Sequence, residues 1–451
     1  MATDPTQQIV TQRHESALVT RARGALTKLA ALPPSTDVPY LTVTLDWRPS
    51  GEDPAREPED EVRRSEEPTG TEESSSRRPA RVLFEQQIAD LIAGQGPRGP
   101  VFDNLSADGE RIRRYLATEL DPAAQGVVIV ACGAHDVFEA LAFALPVPTR
   151  ISIGPVPVLH EVARVIDDHP TYAVLLADQK DARLTFVRYG QASRTVSLEA
   201  TGYPRHQQQG GWSQRRYQAR ADERIEAFAR DVAEETRKAL DALNVRMLIV
   251  GGNEVMLSAL DDAFHETVKE RIVKTMPLDI RSTEHEVIDA TRSIAQEAER
   301  DRESGLVATL KDAVGAGGKG AAGGEGTLEA LQAAQVQSLV MADTYAEPGW
   351  ADFSLPLYGV GHPPKVHPGG GDVAAIQPVA LEEEFIRLAL QQDADIEIIH
   401  SDVPVSDDEQ ANIPDANSPL PLTNAAAGLQ ELGGVGAILR FTLDPAPPEN
   451  I

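Results

Sequence analysis

The sequence predicts an α/β protein of three domains, with a mixed sheet and a long helix in the middle one and an α/β sandwich at the end. Three observations carry this. The chain has 451 residues, more than the roughly 250–300 at which single cores stop growing. Short apolar runs at Gly126 to Ala131, Val245 to Val250 and Val336 to Ala342 read as buried strands, each set among stretches of helical periodicity. A polar, glycine-containing loop at 205–220 leads directly into a long amphipathic pattern, with Ile225, Phe228, Val232, Ala239 and Leu243 at helical spacing.

In chain order, 17–32 reads as a helix stopped by Pro33-Pro34, and Leu41 to Trp47 alternates as a strand. Residues 50–80 hold ten acids and five arginines with few apolar side chains, a composition expected to remain a disordered insertion. Helices are expected at 82–94, 108–119 and 135–144, and the first domain at 1–150. The second, 151–280, should hold a helix from Pro155 to Asp167, strands at 171–178, 183–189 and 193–199, the loop at 205–220 and its helix to about 243. The third, 281–451, should hold a helix at 284–303, a flexible glycine loop at 315–326, and a helix from Thr327. A strand to Ala342, a helix at 381–391, a strand at 394–399, a loose loop at 400–428 and a closing strand near Val435 should follow.

Acids outnumber bases 70 to 42, a net charge of −28. Such a surface repels nucleic acid in general, so an RNA contact must be local, and DNA binding is not expected. One cysteine, Cys132, excludes a disulfide framework and a cysteine zinc site; in an apolar strand it reads as an inert core thiol. Residues 1–16 are polar, and no apolar run approaches the ~18 residues of a membrane span. The expectation is a cytoplasmic protein with no membrane partner.

Several motifs have structural readings. Gly315 to Gly320 spells G-x-G-x-x-G, but a helix is expected before it and more glycine follows, so neither a dinucleotide nor another cofactor is expected. A P-loop fails because Gly320 follows Lys319 and Ala313 occupies the first glycine's place. Gly433 to Gly436 precedes a strand and suits close backbone packing. His362 and His367, in a Pro-rich loop without a third ligand, read as solvent-facing, and no metal is expected. Ser213 lacks the second glycine of a nucleophile elbow.

The segment Arg205 to Arg220 stands apart. It has four arginines and no acid in a strongly acidic chain. Pro204 and the pair Gly210-Gly211 favour a loop, and Ser213 could cap the helix that follows. Arg205, Arg215, Arg216 and Arg220 suit phosphates, and Trp212 and Tyr217 suit stacking on bases.

These residues resemble the archaeal and eukaryotic class I peptide-chain release factors, whose tip is Gly-Gly-Gln followed by Ser-Ala-x-Arg-Phe. Gly210, Gly211, Ser213, Arg216 and Tyr217 stand in register with it. Leu248-Ile249-Val250-Gly251-Gly252, Glu325-Gly326-Thr327-Leu328-Glu329-Ala330-Leu331 and Gly433 to Phe441 are similar to later elements of the family, in the same order. Its bacterial members include the ribosome hibernation factor Balon. The resemblance implies a ribosome-binding factor that mimics tRNA in the A site and contacts rRNA and tRNA. It also implies a third domain that is L30e-like and docks near the stalk base or a translational GTPase. Trp212 stands where the family has its catalytic glutamine, and the first domain has no Asn-Ile-Lys-Ser tetrapeptide, so stop-codon reading is not implied. Action on hibernating or on stalled ribosomes both fit. Gly211-x-x-Gln214 is similar to the motif of eukaryotic quality-control peptidyl-tRNA hydrolases. This keeps open an enzyme in which Gln214 orients water while Gly210 and Gly211 supply backbone N–H groups to the oxyanion. An acidic adaptor that never meets the ribosome is the third reading.

Overall fold

A computed structural model describes residues 10–15, 22–48, 79–96, 98–122, 124–143, 145–167, 171–188, 191–199, 214–315, 318–401 and 422–442. The insertion expected at 50–80 therefore lies outside the described residues except for its last two. The chain is α/β and folds as two compact units, one of residues 1–20 and 169–301, the other of 21–168 and 302–451. Residues 21–150 and 302–451, from the segments expected as first and third domains, thus share a unit with 151–168, while 1–20 and 281–301 group with 169–280.

After β1 (Val10–Glu15) and α1 (Ala22–Ala30), the chain builds an antiparallel sheet from β2 (Tyr40–Asp46), β3 (Gly126–Cys132), β4 (Val137–Phe143) and β5 (Arg150–Gly154), ordered β4-β3-β2-β5. Helices α2 (Pro79–Gly94) and α3 (Pro100–Thr118) intervene. Alternation decides which side of β2 does what. Leu41, Val43 and Leu45 join Phe84, Ile88, Leu105 and Ile112 in one core. Thr42 and Thr44 face the other way: the Thr42 Oγ1 accepts the N–H of Val158 (3.1 Å), and the Thr44 hydroxyl donates to the Pro148 carbonyl (2.6 Å).

The helix expected at 135–144 is a strand. The glutamate, alanines and leucine of Val137–Phe143 favour a helix locally. The tight turn at Gly133–His135, with Asp136 at φ 52°, instead returns the chain to pair along the whole of β3. Asp108 and Asn104 of α3 accept the N–H groups of Gly133 (3.0 Å) and Ala134 (2.8 Å), so that turn is fixed by side chains nearly thirty residues away. Cys132 is buried beside it, and burial pushes its thiol pKa up, as befits a core thiol.

Helix α4 (His160–Asp167) then leads to the second unit, whose sheet has the order β1-β8-β7-β6-β9-β10. Its later strands are β6 (Tyr172–Ala177), β7 (Asp181–Arg188), β8 (Gln191–Glu199), β9 (Met247–Gly252) and β10 (Ile272–Met276). The helices are α5 (Gln214–Ala242), α6 (Glu254–Ala263), the single turn α7 (Glu266–Lys269) and α8 (Glu284–Gly315). One face of the sheet packs Leu175, Leu184, Phe186 and Leu248 against Ile225, Phe228, Val232 and Leu240 of α5. The other packs Val174, Leu176 and Ile249 against Val287, Ile288 and Ala295 of α8. Helix α8 runs twelve residues past its expected end.

The remaining elements are β11 (Gly320–Ala322), α9 (Gly323–Gln332), β12 (Val336–Ala342), β13 (Pro348–Asp352), β14 (Leu357–Val360), β15 (Gln377–Ala380), α10 (Leu381–Gln391), β16 (Asp395–Ile399), α11 (Asn424–Gln430) and β17 (Val435–Leu439). They make a sheet ordered β11-β17-β12-β16 and a separate three-stranded sheet β14-β13-β15. The glycine run is not a loop throughout. Gly315 ends α8, Gly320 starts β11, and Gly323, at φ +71°, starts α9. A Cβ on Gly320 would lie 2.6 Å from the Val314 nitrogen, so close approach rather than mobility requires that glycine. The loop expected at 400–428 likewise ends in a helix, α11, capped by the Thr423 hydroxyl on the Ala426 N–H (3.1 Å).

Candidate nucleic-acid interface

Of the residues singled out in the sequence, Arg205, Gly210, Gly211 and Trp212 lie outside the described residues, in the connection between β8 and α5. Gln214 is the first residue of α5, and Arg215, Arg216, Tyr217 and Arg220 occupy its first two turns, their side chains outside the described set. The structure therefore defines the mount of this segment and the backbone of its base.

The mount is one helix of 29 residues, about 43 Å at 1.5 Å per residue. Ile225, Phe228, Val232 and Leu240 are almost fully buried against the sheet, each worth roughly 1.5–3 kcal/mol. Within that sheet, β9 closes on β6 and on Leu278 because it ends in two glycines. A Cβ on Gly251 would lie 2.6 Å from Leu176 Cδ2, and one on Gly252 would overlap the Ala177 carbonyl oxygen. The far end is clamped by cations. Arg188 Nη2 donates to the Leu243 carbonyl (3.3 Å), and Arg271 Nη1 to that of Val245 (3.4 Å). These carbonyls follow the last turn of α5, where a cation is favoured.

Charge along α5 is sorted by position. Toward its end, Arg237 bonds Glu234 (2.8 Å) and Asp241 (3.2 Å), Lys238 bonds Glu235 (2.9 Å), and Arg271 reaches Asp241 from outside (2.8 Å). Its first turn has no acid, and Asp222 is the first acid after Glu199. Arg215 and Arg216 thus sit in the first turn, where the helix dipole already places positive potential, an arrangement costing about 0.3–1 kcal/mol per charge at an exposed helix end. The arrangement is costly for the helix and favourable for an anion approaching it. The sequence identified these arginines; it gave no sign of Arg271, which comes from beyond β9.

The competing motifs resolve structurally. A Cβ on Gly324 would run into the Glu347 carboxylate, which itself accepts a hydrogen bond from the Tyr345 hydroxyl (2.6 Å). A carboxylate of the chain therefore lies against the start of α9. Gly433 and Gly434 adopt φ of +88° and +78° in the turn before β17. His367 is buried rather than solvent-facing. Its Nδ1 accepts the Gly369 N–H (3.0 Å), so its Nε2–H donates to Asp352 (2.9 Å). The Ser354 hydroxyl and His367 hold the Asp352 carboxyl down at about 2. No pattern flags this pair, because nothing in the sequence shows that Asp352, at the end of a strand, and His367, in the loop after the next strand, meet. Among the described residues no group of three or more histidine, cysteine or acidic side chains could hold a metal ion, and no helix is long and apolar enough to cross a membrane.

Residues 157–296 match the model of bacterial archaeo-eukaryotic release factor family 10. That segment takes in β6 to β10, α5 and the 205–220 region. No curated protein matches the chain. Among solved structures, an archaeal translation termination factor, aRF1, is 14% identical, covering 93% of this chain and 97% of its own, with a TM-score of 0.23. Pelota from Archaeoglobus fulgidus is 14% identical over 72% of this chain and 83% of its own, TM-score 0.29. Dom34 of S. cerevisiae is 10% identical over 72% and 82%, TM-score 0.35.

Proposed function

We propose that this chain, whose residues 157–296 match bacterial archaeo-eukaryotic release factor family 10, is a ribosome-binding translation factor. It occupies the A site as a tRNA mimic and reaches toward the peptidyl-transferase centre, in hibernating or stalled ribosomes, without reading stop codons. The observation that supports this reading most is the family match over a helix whose positive end carries Arg215, Arg216 and Arg220. In this reading those arginines and Arg205 neutralise rRNA or tRNA phosphates, Gly210 and Gly211 admit close backbone approach, and Trp212 and Tyr217 stack on bases. The region 281–451 acts as an L30e-like docking domain for the stalk base or a translational GTPase.

Co-sedimentation with 70S particles over a salt series tests this. The proposal expects binding that falls steeply with salt; no binding at low salt would leave the adaptor reading. A second reading, peptidyl-tRNA hydrolysis, is favoured by one observation: Gln214 is the first helical residue, beside N–H groups that the helix leaves unused. Gln214→Ala would then abolish release of peptide from peptidyl-tRNA on 50S particles and leave sedimentation unchanged.

A further inference from the structure

Helix α4 is held at both ends by residues more than two hundred positions away. At its start, Glu383 Oε2 of α10 accepts the N–H groups of Leu159 (2.6 Å) and His160 (3.0 Å). At its end, Asp167 Oδ2 accepts the N–H of Ile398 in β16 (2.8 Å). Alongside, the Gln391 amide of α10 donates to the Ala30 carbonyl at the end of α1 (2.8 Å). All of these lie within one compact unit. Without Glu383 the first N–H groups of this short helix would be buried with no acceptor.

The seam has more acceptors than it satisfies. Glu383 and His160 are each 7% exposed, and their Oε1 and Nε2 atoms have no hydrogen-bond partner. Buried Oε2 atoms of Glu161 and Glu382 have none either. Glu382 and Arg150 act on Glu383, and Glu161, Glu382, Arg164 and Arg150 act on His160. Three carboxylates thus meet two guanidinium groups, with several buried lone pairs unmatched. An unmatched buried polar atom costs about 1–3 kcal/mol, and more if charged. A proton on Glu383 removes one negative charge and turns its bare oxygen into a donor.

We propose that this seam is a proton-operated latch: Glu383 is protonated while α4 is docked on α10, and its ionisation, with the proton released to solvent, loosens α4.

Burial pushes the Glu383 carboxyl up to about 7, against the pull of the two N–H bonds. This folded value lies above the ordinary 4.5. Its contribution to docking is therefore complete below 4.5 and is lost as pH rises through about 7. His160 moves the other way, because burial lowers its pKa from 6.5, so it stays neutral in the seam and works against docking as pH falls below that value. The seam is tightest on the acid side of neutrality and opens as the solution becomes alkaline.

Hydrogen–deuterium exchange of the full chain between pH 6 and pH 8, corrected for the intrinsic base-catalysed rate, tests the latch. Protection in a peptide covering 155–167 should fall about tenfold over that range, while β12 should not respond. Glu383→Gln should flatten the profile. Glu382→Gln removes a neighbouring negative charge and should move the midpoint to lower pH. A wild-type profile that does not change with pH overturns the proposal, as does a Glu383→Gln profile identical to it. Should Glu383→Gln fail to fold, an unmoved midpoint in Glu382→Gln overturns it alone.

Discussion

Helices α8 and α5 are similar in length, 32 and 29 residues, yet they begin in opposite ways. At the start of α8, Glu284 and Glu286 lie in the first turn. Thr283 and Glu286 also bond reciprocally: the Thr283 N–H donates to Glu286 (2.8 Å) and the Glu286 N–H to the Thr283 hydroxyl (3.3 Å). This capping box is what stability favours at a helix start. The first two turns of α5 hold three arginines and no acid. Both helices bury a strong apolar face on the same sheet, so α5 forms whatever its end carries. Packing worth several kcal/mol outweighs a dipole penalty of about 1 kcal/mol per charge or less. A locally unfavourable choice held in place by a favourable global one is a signature of use rather than stability.

The comparison can be broken most forcefully by replacing Arg215, Arg216 and Arg220 together with alanine. Loss of charged hydrogen bonds worth roughly 1.5–3 kcal/mol each should weaken ribosome binding on the order of 100-fold or more. The log–log salt slope should become shallower by about 2 to 3. The same variant should melt at a higher temperature, and a fall in both binding and stability would refute the assignment of the arginines to a partner. Gly252→Ala attacks the mount instead: its methyl group would overlap the Ala177 carbonyl, and a loss of about 1–3 kcal/mol in urea unfolding is expected. Thr283→Ala should cost about 1 kcal/mol by removing the α8 cap. Gly305→Ala, in the interior of α8 with open space around it, should gain a little under 1 kcal/mol. The smallest effect is in pH. Thr283 lowers the Glu286 pKa through its N–H and hydroxyl. That stabilisation is present above the ordinary 4.5 and is lost as pH falls through the lowered value. Circular dichroism of Thr283→Ala should lack this acid component.

What the sequence made legible was local. Val336–Ala342 is a strand with the boundaries its apolar run indicates, and α10 begins and ends where its periodicity does. The misreadings share one cause, a tertiary partner that local composition does not announce. Val137–Phe143 has helical composition but pairs with β3. Gly320–Ala322 looks like a spacer but pairs with β17, more than a hundred residues on. His367 looks exposed until Asp352 meets it, and Glu383 looks like one more surface acid of α10 until Leu159 and His160 claim it. For the candidate site, composition located the arginines, whereas the dipole that makes them costly became visible only with α5 itself.

Strand β1 pairs with β8 from Val10 opposite Glu199 to Glu15 opposite Arg194, across about 180 residues of intervening chain, so it is among the slowest contacts to close. During synthesis at about 5–20 residues per second, β1 must wait on the order of ten seconds or more for its mate to emerge. The matched segment 157–296 does not include β1. Produced alone, it would present the open N–H and C=O row of β8 to other copies of itself. A soluble fragment should therefore carry residues 10–15 with it, and the same six residues supplied as a peptide are a direct handle on the strand that leads into the arginine-bearing end.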